Sequence, residues 1–290
     1  MTRYDIAILG TGPAGLSAAL TAKIRNKNFI LLGSKDLSAK LQAAHEIDNY
    51  LGLSKVSGSD MASAFTQQMK DMDIEITEEK ITAVYAMGDY FALQTDQNTV
   101  IEAESVILAT GVVAGRPYPG EEQYLGRGVS YCATCDAPLF KGKEVTVIGG
   151  SPKEEAEADF LAEVCSKVTY FPLYQGTPHF NHAVEVRTEK PVEILGGMKV
   201  TSLKTDQNEY PCDAVFILRE AQFPGQLVPG LAIEGTAVKV NLQMETNIPG
   251  LFAAGDIAGL PYQYIKAAGQ GNTAVLSAVN FLAQKHRKAA

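Results

Sequence analysis

The stretch Tyr4-Asp5-Ile6-Ala7-Ile8-Leu9-Gly10-Thr11-Gly12-Pro13-Ala14-Gly15 decides the fold class. A strand-like apolar run meets a Gly-x-Gly-x-x-Gly turn, and a small-residue helix follows from Ala14 to about Arg25. A second strand, Asn28–Gly33, completes a βαβ unit. In that setting Gly10 permits the tight turn, Gly12 admits a pyrophosphate close to the backbone, and Gly15 lets helix and strand pack. Pro13 suits the first helical turn, where a missing N–H costs nothing. The helix start at Pro13 and Ala14 offers N–H groups and the positive end of the helix dipole to phosphates. One element is missing. The acidic residue that usually serves the ribose hydroxyls about 20 residues on is replaced by Gly33-Ser34-Lys35, with Asp36 past the bend. Ser34, or the backbone around Ser34 and Lys35, is expected to hold the ribose instead.

Working outward, the pattern predicts a helix over Asp60–Met72 and an antiparallel meander at Ile81–Met87, Tyr90–Thr95 and Thr99–Ala103. A buried strand Ser105–Ala109 then ends in Thr110-Gly111. The Gly/Pro-rich run Gly115–Gly120 reads as a linker. A second βαβ candidate follows: strand Glu144–Ile148, Gly149 and Gly150, helix Lys153–Cys165, strand Lys167–Phe171. Near the end a strand runs into Gly255-Asp256, and a helix is expected over Tyr262–Gln284. Two βαβ starts in 290 residues suggest two nucleotide-fold domains of α/β class.

Bulk properties narrow the function. Hydrophobic residues make up 46% and charged residues 20%, an ordinary globular balance. The formal net charge of -8 argues against nucleic acid, which needs clustered Lys and Arg. No apolar run approaches the ~20 residues that span a bilayer. After Met1-Thr2-Arg3 the chain enters a strand without a basic leader, so a cytoplasmic location is expected. Four cysteines in a chain this long do not make a disulfide framework.

Two of them stand as Cys132-Ala133-Thr134-Cys135. Such a pair is either half a zinc site or a redox disulfide. No second C-x-x-C exists, Cys165 and Cys212 are isolated, and His179 and His182 lie in a loop, so a disulfide is expected and a metal is not. The spacing lets one thiolate be stabilised by its neighbour and so become reactive. On spacing alone Asp136 reads first as a cap or solvated carboxylate; its other reading is the proton donor and acceptor for the thiols. Cys165 reads as a core thiol.

The run Gly126-Arg127-Gly128-Val129-Ser130-Tyr131-Cys132-Ala133-Thr134-Cys135-Asp136 resembles the active-site run of the low-molecular-weight, bacterial-type thioredoxin reductases. The resemblance extends over nearly the whole chain. Gly10–Gly15 is similar to that family's FAD loop, and Asn49 in Ile47-Asp48-Asn49-Tyr50 to an asparagine near the flavin. Ala109-Thr110-Gly111 and Gly255-Asp256 match two further FAD motifs, the aspartate of the latter holding the ribityl chain. The resemblance implies a FAD-dependent thioredoxin-disulfide reductase and a homodimer. Cys135 would face the flavin, Cys132 would attack the thioredoxin disulfide, and Asp136 would be the acid. It also implies two Rossmann-like three-layer domains, the second inserted into the first: FAD domain 1–114 and 245–290, central domain 115–244.

Three departures change the expected electron donor. The family's second loop, Gly-x-Gly-x-x-Ala for NADPH, here reads Gly149-Gly150-Ser151-Pro152-Lys153-Glu154, with Glu155 and Glu157 behind. Ser151 adds a side chain where pyrophosphate must approach, while the carboxylates repel it and can cap their own helix. The cation run suited to a 2′-phosphate is replaced by Phe171–Pro178, which holds no Lys or Arg. Where the family has Arg-Gln-Ala beside the isoalloxazine stands Gln263-Tyr264-Ile265, then Lys266; Tyr264 either meets the ring or fills a core. These departures resemble the ferredoxin-dependent flavin thioredoxin reductases, which lack a pyridine-nucleotide site. A plant-type ferredoxin near about -400 mV and thioredoxin near about -270 mV leave about 130 mV, or about 6 kcal/mol for two electrons. Lys141, Lys143, Arg116 and Arg127 are the cations that could receive an acidic ferredoxin, or are simply solvated. Two alternatives stand: NADPH or NADH acting through a remodelled loop, and a flavin–disulfide redox sensor that does not turn over.

Overall fold

The glycine-turn motif lies in the first of two compact units in the computed structural model, residues 1–95, 99–113 and 224–290; the second holds 96–98 and 114–223. The structure describes residues 3–42, 44–111, 117–121, 123–218 and 223–289, leaving aside the side chains of Ala39, Cys135 and Ala289.

In the first unit β1 (Tyr4–Leu9) leads through the glycine turn to α1 (Pro13–Ile24) and β2 (Phe29–Leu32). After α2 (Ala39–Gln42), α3 (Gly58–Asp71) and β3 (Ile76–Thr77) come β4 (Ile81–Ala86), β5 (Phe91–Thr95) and β6 (Val100–Leu108). The sheet order is β3-β2-β1-β6-β5-β4. Its β3-β2-β1-β6 part is parallel, and β5 and β4 continue antiparallel. The two expected strands Thr99–Ala103 and Ser105–Ala109 are one. No turn residue separates them, and Glu104 is held in place by Lys285 and His286.

Parallel strands covered on both faces must be apolar on both. Ile6, Ile8, Leu31 and Ile107 join one core; Ala7, Leu9, Leu32 and Leu108 join the other. Alternate residues of one strand therefore serve opposite layers.

The second unit opens with β7 (Val129–Ser130), the short helix α4 (Ala133–Asp136) and a 3-10 turn, Ala137–Phe140. The repeat follows as β8 (Glu144–Gly149), a 3-10 turn Pro152–Glu154, α5 (Glu155–Val164) and β9 (Lys167–Pro172). Then come β10 (Val184–Val186), β11 (Pro191–Gly196), β12 (Val200–Thr205), β13 (Glu209–Pro211) and β14 (Ala214–Leu218). The five-stranded sheet β10-β9-β8-β14-β7 is parallel throughout, and β11-β12-β13 form a small antiparallel sheet. Here too the faces divide: Val147, Tyr170 and Phe216 on one side, Ile148, Phe171 and Ile217 on the other.

The chain returns to the first unit at Pro224, earlier than the expected boundary at 245. Leu227, Val228, Leu231 and Val238 are buried in the first unit's second core, which explains the earlier return. This segment holds α6 (Pro224–Leu227), β15 (Ile233–Glu234) and β16 (Ala237–Val238). β17 (Leu251–Ala253) then pairs parallel with β6. α7 (Tyr264–Ala289) closes the unit against α1. That crossing is tight, since a Cβ on Gly271 would lie 2.0 Å from the Ala14 carbonyl oxygen. Among the described residues no helix is long and apolar enough to cross a membrane. The linker residues 112–116, including Gly115 and Arg116, lie outside the described residues.

Candidate active site

The first unit's glycine turn has the form of a phosphate cradle. Gly10 sits at φ +116, and a Cβ there would be 2.2 Å from the Ala109 oxygen. A Cβ on Gly15 would strike the Gly10 oxygen at 1.8 Å. Gly12 differs: its Cβ would meet only the Ser38 Cβ, at 4.0 Å. That space is open, and it lies at the N-terminus of α1. Gly12 is the N-cap, Pro13 begins the helix, no side chain caps it and no acid stands in its first turn. The helix end is thus left for an external anion. Nearby, Thr110 carries a buried hydroxyl oxygen without a partner, and Gly111 (φ +77) has open space beside it.

At the end of β2 the Ser34 carbonyl accepts the Thr11 hydroxyl at 2.9 Å, while the Ser34 hydroxyl accepts the Asp36 N–H at 3.1 Å. Lys35 turns to Glu78, through its N–H (3.1 Å) and its ammonium (3.5 Å). Glu78 was not singled out from the sequence. It follows β3, and only the pairing of β2 with β3 brings its carboxylate to the place where the expected acid is missing. Lys35, Asp36, Gln42, Ser59, Ser63 and Thr66 line an adjoining cavity of about 520 Å³.

The remaining first-unit candidates meet one another. Asn49 Nδ2 donates to Gln263 Oε1 at 2.6 Å, joining residues 214 positions apart. Lys40 Nζ is 2.6 Å from Asp256 Oδ2 and 5.1 Å from the centre of the Tyr262 ring. The Tyr264 hydroxyl donates to the Lys40 carbonyl at 3.2 Å, so it ties α7 to α2. Lys40, absent from the sequence-derived set, is the cation nearest to Asp256. Lys266 donates to the Gly255 carbonyl at 3.2 Å; burial pushes its ammonium below the ordinary lysine range, against the pull of Asp256. Gly255 (φ +86) gives its own N–H to Gln270 at 3.0 Å. Ile265 is 43% exposed and joins no core.

In the second unit Cys132 is disulfide-bonded and buried, whereas Cys165 and Cys212 are free thiols. Burial pushes both free thiols up to about 11, far from the reactive range. Cys165 is half-buried at the end of α5 rather than fully enclosed. Ser130 Oγ accepts the Cys132 N–H and donates to the Cys132 carbonyl, each at 3.2 Å. The Ala133 N–H donates to Glu157 Oε2 at 3.2 Å. Glu121, fully buried, accepts the Tyr118 N–H at 2.7 Å and the Tyr131 hydroxyl at 3.2 Å. Asp136 is half-buried, and its side chain caps nothing. The Cys135 side chain lies outside the described residues.

The second glycine loop is filled from within. A Cβ on Gly149 would lie 1.8 Å from the Tyr170 hydroxyl oxygen, so that phenol occupies the space a glycine leaves. Tyr170 and Tyr174 hydroxyls are 3.2 Å apart, and Tyr174 donates to Glu155 Oε1 at 2.5 Å. Burial pushes Tyr170 up to about 12, and Tyr174 higher still, with the Glu155 hydrogen bond adding to it. Glu154 is buried, and Ser151 Oγ is buried without a partner. The expected cap is not found at the N-cap positions: neither Ser151, before the 3-10 turn, nor Glu154, before α5, makes a side-chain cap hydrogen bond. Instead Glu155 bonds to Tyr174 and to the His179 N–H, and Glu157 bonds to Ala133. His182 Nδ1 is 3.1 Å from Asp159 Oδ1, and among the described residues no cluster of His, Cys, Asp and Glu could hold a metal. Of the proposed docking cations, Lys141, Lys143 and Arg127 are exposed, with Lys143 4.0 Å from Asp213; Arg116 lies outside the described residues.

Comparison with known proteins fits this geometry. The family model for pyridine nucleotide-disulphide oxidoreductases matches residues 4–271. A thioredoxin reductase of Helicobacter pylori is 33% identical, over 96% of this chain and 98% of that one. Among solved structures, a ferredoxin-flavin thioredoxin reductase from Clostridium acetobutylicum is 50% identical with a TM-score of 0.91, covering 99% of this chain and 100% of that one. A thioredoxin reductase from Gloeobacter violaceus is 27% identical with a TM-score of 0.78, covering 98% and 95%. The chain therefore belongs to the pyridine nucleotide-disulphide oxidoreductase family, as a flavin disulfide oxidoreductase of thioredoxin-reductase type.

Proposed function

We propose that this protein is a FAD-dependent thioredoxin reductase that draws its electrons from reduced ferredoxin and uses no pyridine nucleotide. Ser151 carries this reading: it stands at the loop position that must be glycine for a pyrophosphate to approach the backbone, and its hydroxyl is buried. Beside it the Tyr170 phenol packs against Gly149 and is tied to Tyr174 and, through Tyr174, to Glu155. The carboxylates of Glu154, Glu155 and Glu157 oppose a second anion, and no Lys or Arg in Phe171–Pro178 pairs a 2′-phosphate. Likeness to the Clostridium acetobutylicum enzyme supports ferredoxin as donor.

The first unit fits FAD. Gly10, Gly12, Pro13, Ala14 and Gly15 present the α1 N-terminus to the pyrophosphate, and the unpartnered Thr110 hydroxyl with Gly111 offers a further polar contact. Ser34, Lys35 and the adjoining cavity would hold the adenosine part, and Asn49, Gly255, Asp256, Gln263, Tyr264 and Ile265 the ribityl and ring part; the cavity and the Asn49–Gln263 and Lys40–Asp256 contacts support this. Bound there, the flavin supplies the link between a one-electron donor and a two-electron disulfide.

The second unit's residues do the rest. The Cys132–Cys135 disulfide takes up two electrons and two protons to become a dithiol. Cys132 as thiolate attacks one sulfur of the thioredoxin disulfide, and the other leaves as a thiolate. Cys135 then displaces thioredoxin from Cys132, which restores the internal disulfide and releases dithiol thioredoxin. Asp136, half-buried and engaged in no cap, holds and returns the proton at the thiols. Kinship with thioredoxin reductases supports a cytoplasmic homodimer.

Anaerobic turnover tests the donor. Reduced ferredoxin should reduce the flavin and then thioredoxin, while stoichiometric NADPH or NADH leaves the flavin oxidised. Rapid bleaching by either nucleotide sinks the ferredoxin reading. A reducible disulfide that passes electrons to thioredoxin from neither donor supports the redox sensor instead.

A further inference from the structure

A carboxylate of α5 meets the start of α4. Ala133 is the first residue of α4, and its N–H is donated to Glu157 Oε2 at 3.2 Å from the first turn of α5. Cys132 directly precedes it, with its own N–H given to Ser130 Oγ at 3.2 Å. Backbone N–H groups beside a cysteine sulfur favour its thiolate, and a nearby anion disfavours it. Here the two N–H groups are taken by a hydroxyl oxygen and a carboxylate, and that carboxylate sits on the N–H of the residue that directly follows Cys132.

We propose that Glu157 is a positioning residue that anchors α4 and, through its charge, keeps the Cys132 thiolate disfavoured, making the pair a stronger reductant. The inference rests on Cys132 and Cys135 being the pair that cycles. Opening the S–S bond consumes two electrons and two protons when both thiols stay protonated. A thiolate stabilised by the protein favours the reduced form and raises the potential, as in strongly oxidising disulfide proteins. A carboxylate at this position acts in the opposite direction, which suits a donor to thioredoxin.

Glu157→Gln separates charge from geometry, because the amide oxygen still accepts the Ala133 N–H. The holoenzyme is equilibrated anaerobically with dithiothreitol redox buffers from acid to alkaline pH, and the thiols are counted by alkylation and mass. The expected thiol pKa falls by about one unit. The equilibrium then shifts toward dithiol by about tenfold above both pKa values, about 30 mV, and the two profiles converge at acid pH, where no thiolate exists. Glu157→Asp, which retains the charge, should keep the wild-type profile. Three results overturn the proposal: a Gln profile equal to wild type, a shift of the same size at every pH, which marks distortion rather than charge, or an Asp profile that matches Gln. If the wild-type disulfide does not open at all, the proposed function fails with it; if it opens normally and only the Glu157 variants show no effect, this inference alone fails.

Discussion

Single residues in this chain separate structural from functional glycine. Gly10 and Gly15 are held by backbone oxygens that a Cβ would strike at 2.2 and 1.8 Å, whereas Gly12 faces open space. Gly12→Ala should therefore change stability by less than about 0.5 kcal/mol in urea unfolding, yet the purified protein should lose flavin, seen as a fall in the ratio of flavin to protein absorbance. Gly15→Ala should lower the unfolding midpoint outright, as overpacking against backbone costs roughly 1–3 kcal/mol. A Gly12 variant with a full complement of flavin would remove this loop from the cofactor site. The glycine spacing was legible in the sequence because each glycine answers a local backbone demand. Lys40 and Glu78 were not: their partners, Asp256 and Lys35, lie 216 and 43 positions away. No local pattern announces such a meeting.

At the scale of elements, α5 shows how one helix can be reassigned. Its start follows a strand and two glycines, as a nucleotide loop requires, but its acids serve neighbours within the unit. Glu155 holds Tyr174 and His179, Glu157 holds Ala133, and Asp159 accepts the N–H groups of Asn181 and His182, each at 2.9 Å. Burial pushes the Asp159 carboxyl up, but these N–H groups and the Asn181 amide together pull it down further, below the ordinary aspartate value. A lowered native value means the tether is fully present above the ordinary value of about 3.9 and is lost as pH falls through the native one. Hydrogen exchange corrected for intrinsic rate should show residues 178–183 losing protection below about pH 4. Asp159→Asn should show weaker protection with no such step, and a step that survives in that variant would place the titration elsewhere. The cap expected for α5 was a fair inference from acids in a first turn. Tertiary partners outbid it, because buried hydroxyls and N–H groups left unpaired cost more than an exposed helix end.

For the whole molecule, each unit closes its own cores among the described residues: two in the first unit, two in the second. A ligand that binds one native unit stabilises that unit by mass action, by about 2.7 kcal/mol at a hundredfold excess over its dissociation constant. Calorimetry of flavin-stripped protein should therefore resolve two transitions, of which added FAD raises only one. A single transition that moves as a whole would show the units to be one cooperative body. The two-unit plan was visible in the repeated strand–glycine–helix pattern, but its second boundary was not. Residues 224–238 carry no sequence mark of allegiance; they belong to the first unit because Leu227, Val228 and Val238 complete its core.

The sequence by itself determined the α/β class, the C-x-x-C spacing and the absence of Lys and Arg from Phe171–Pro178, since strand and helix periods, cysteine spacing and charge are properties of near neighbours. Only the tertiary structure decided what packs against the remaining loop glycine. Tyr170 stands opposite Val147 in the β8–β9 register, and it is this register that sets its hydroxyl over Gly149. Which side chain fills a space depends on how strands align and helices close, and packing at crystal-like density leaves that choice to the folded whole.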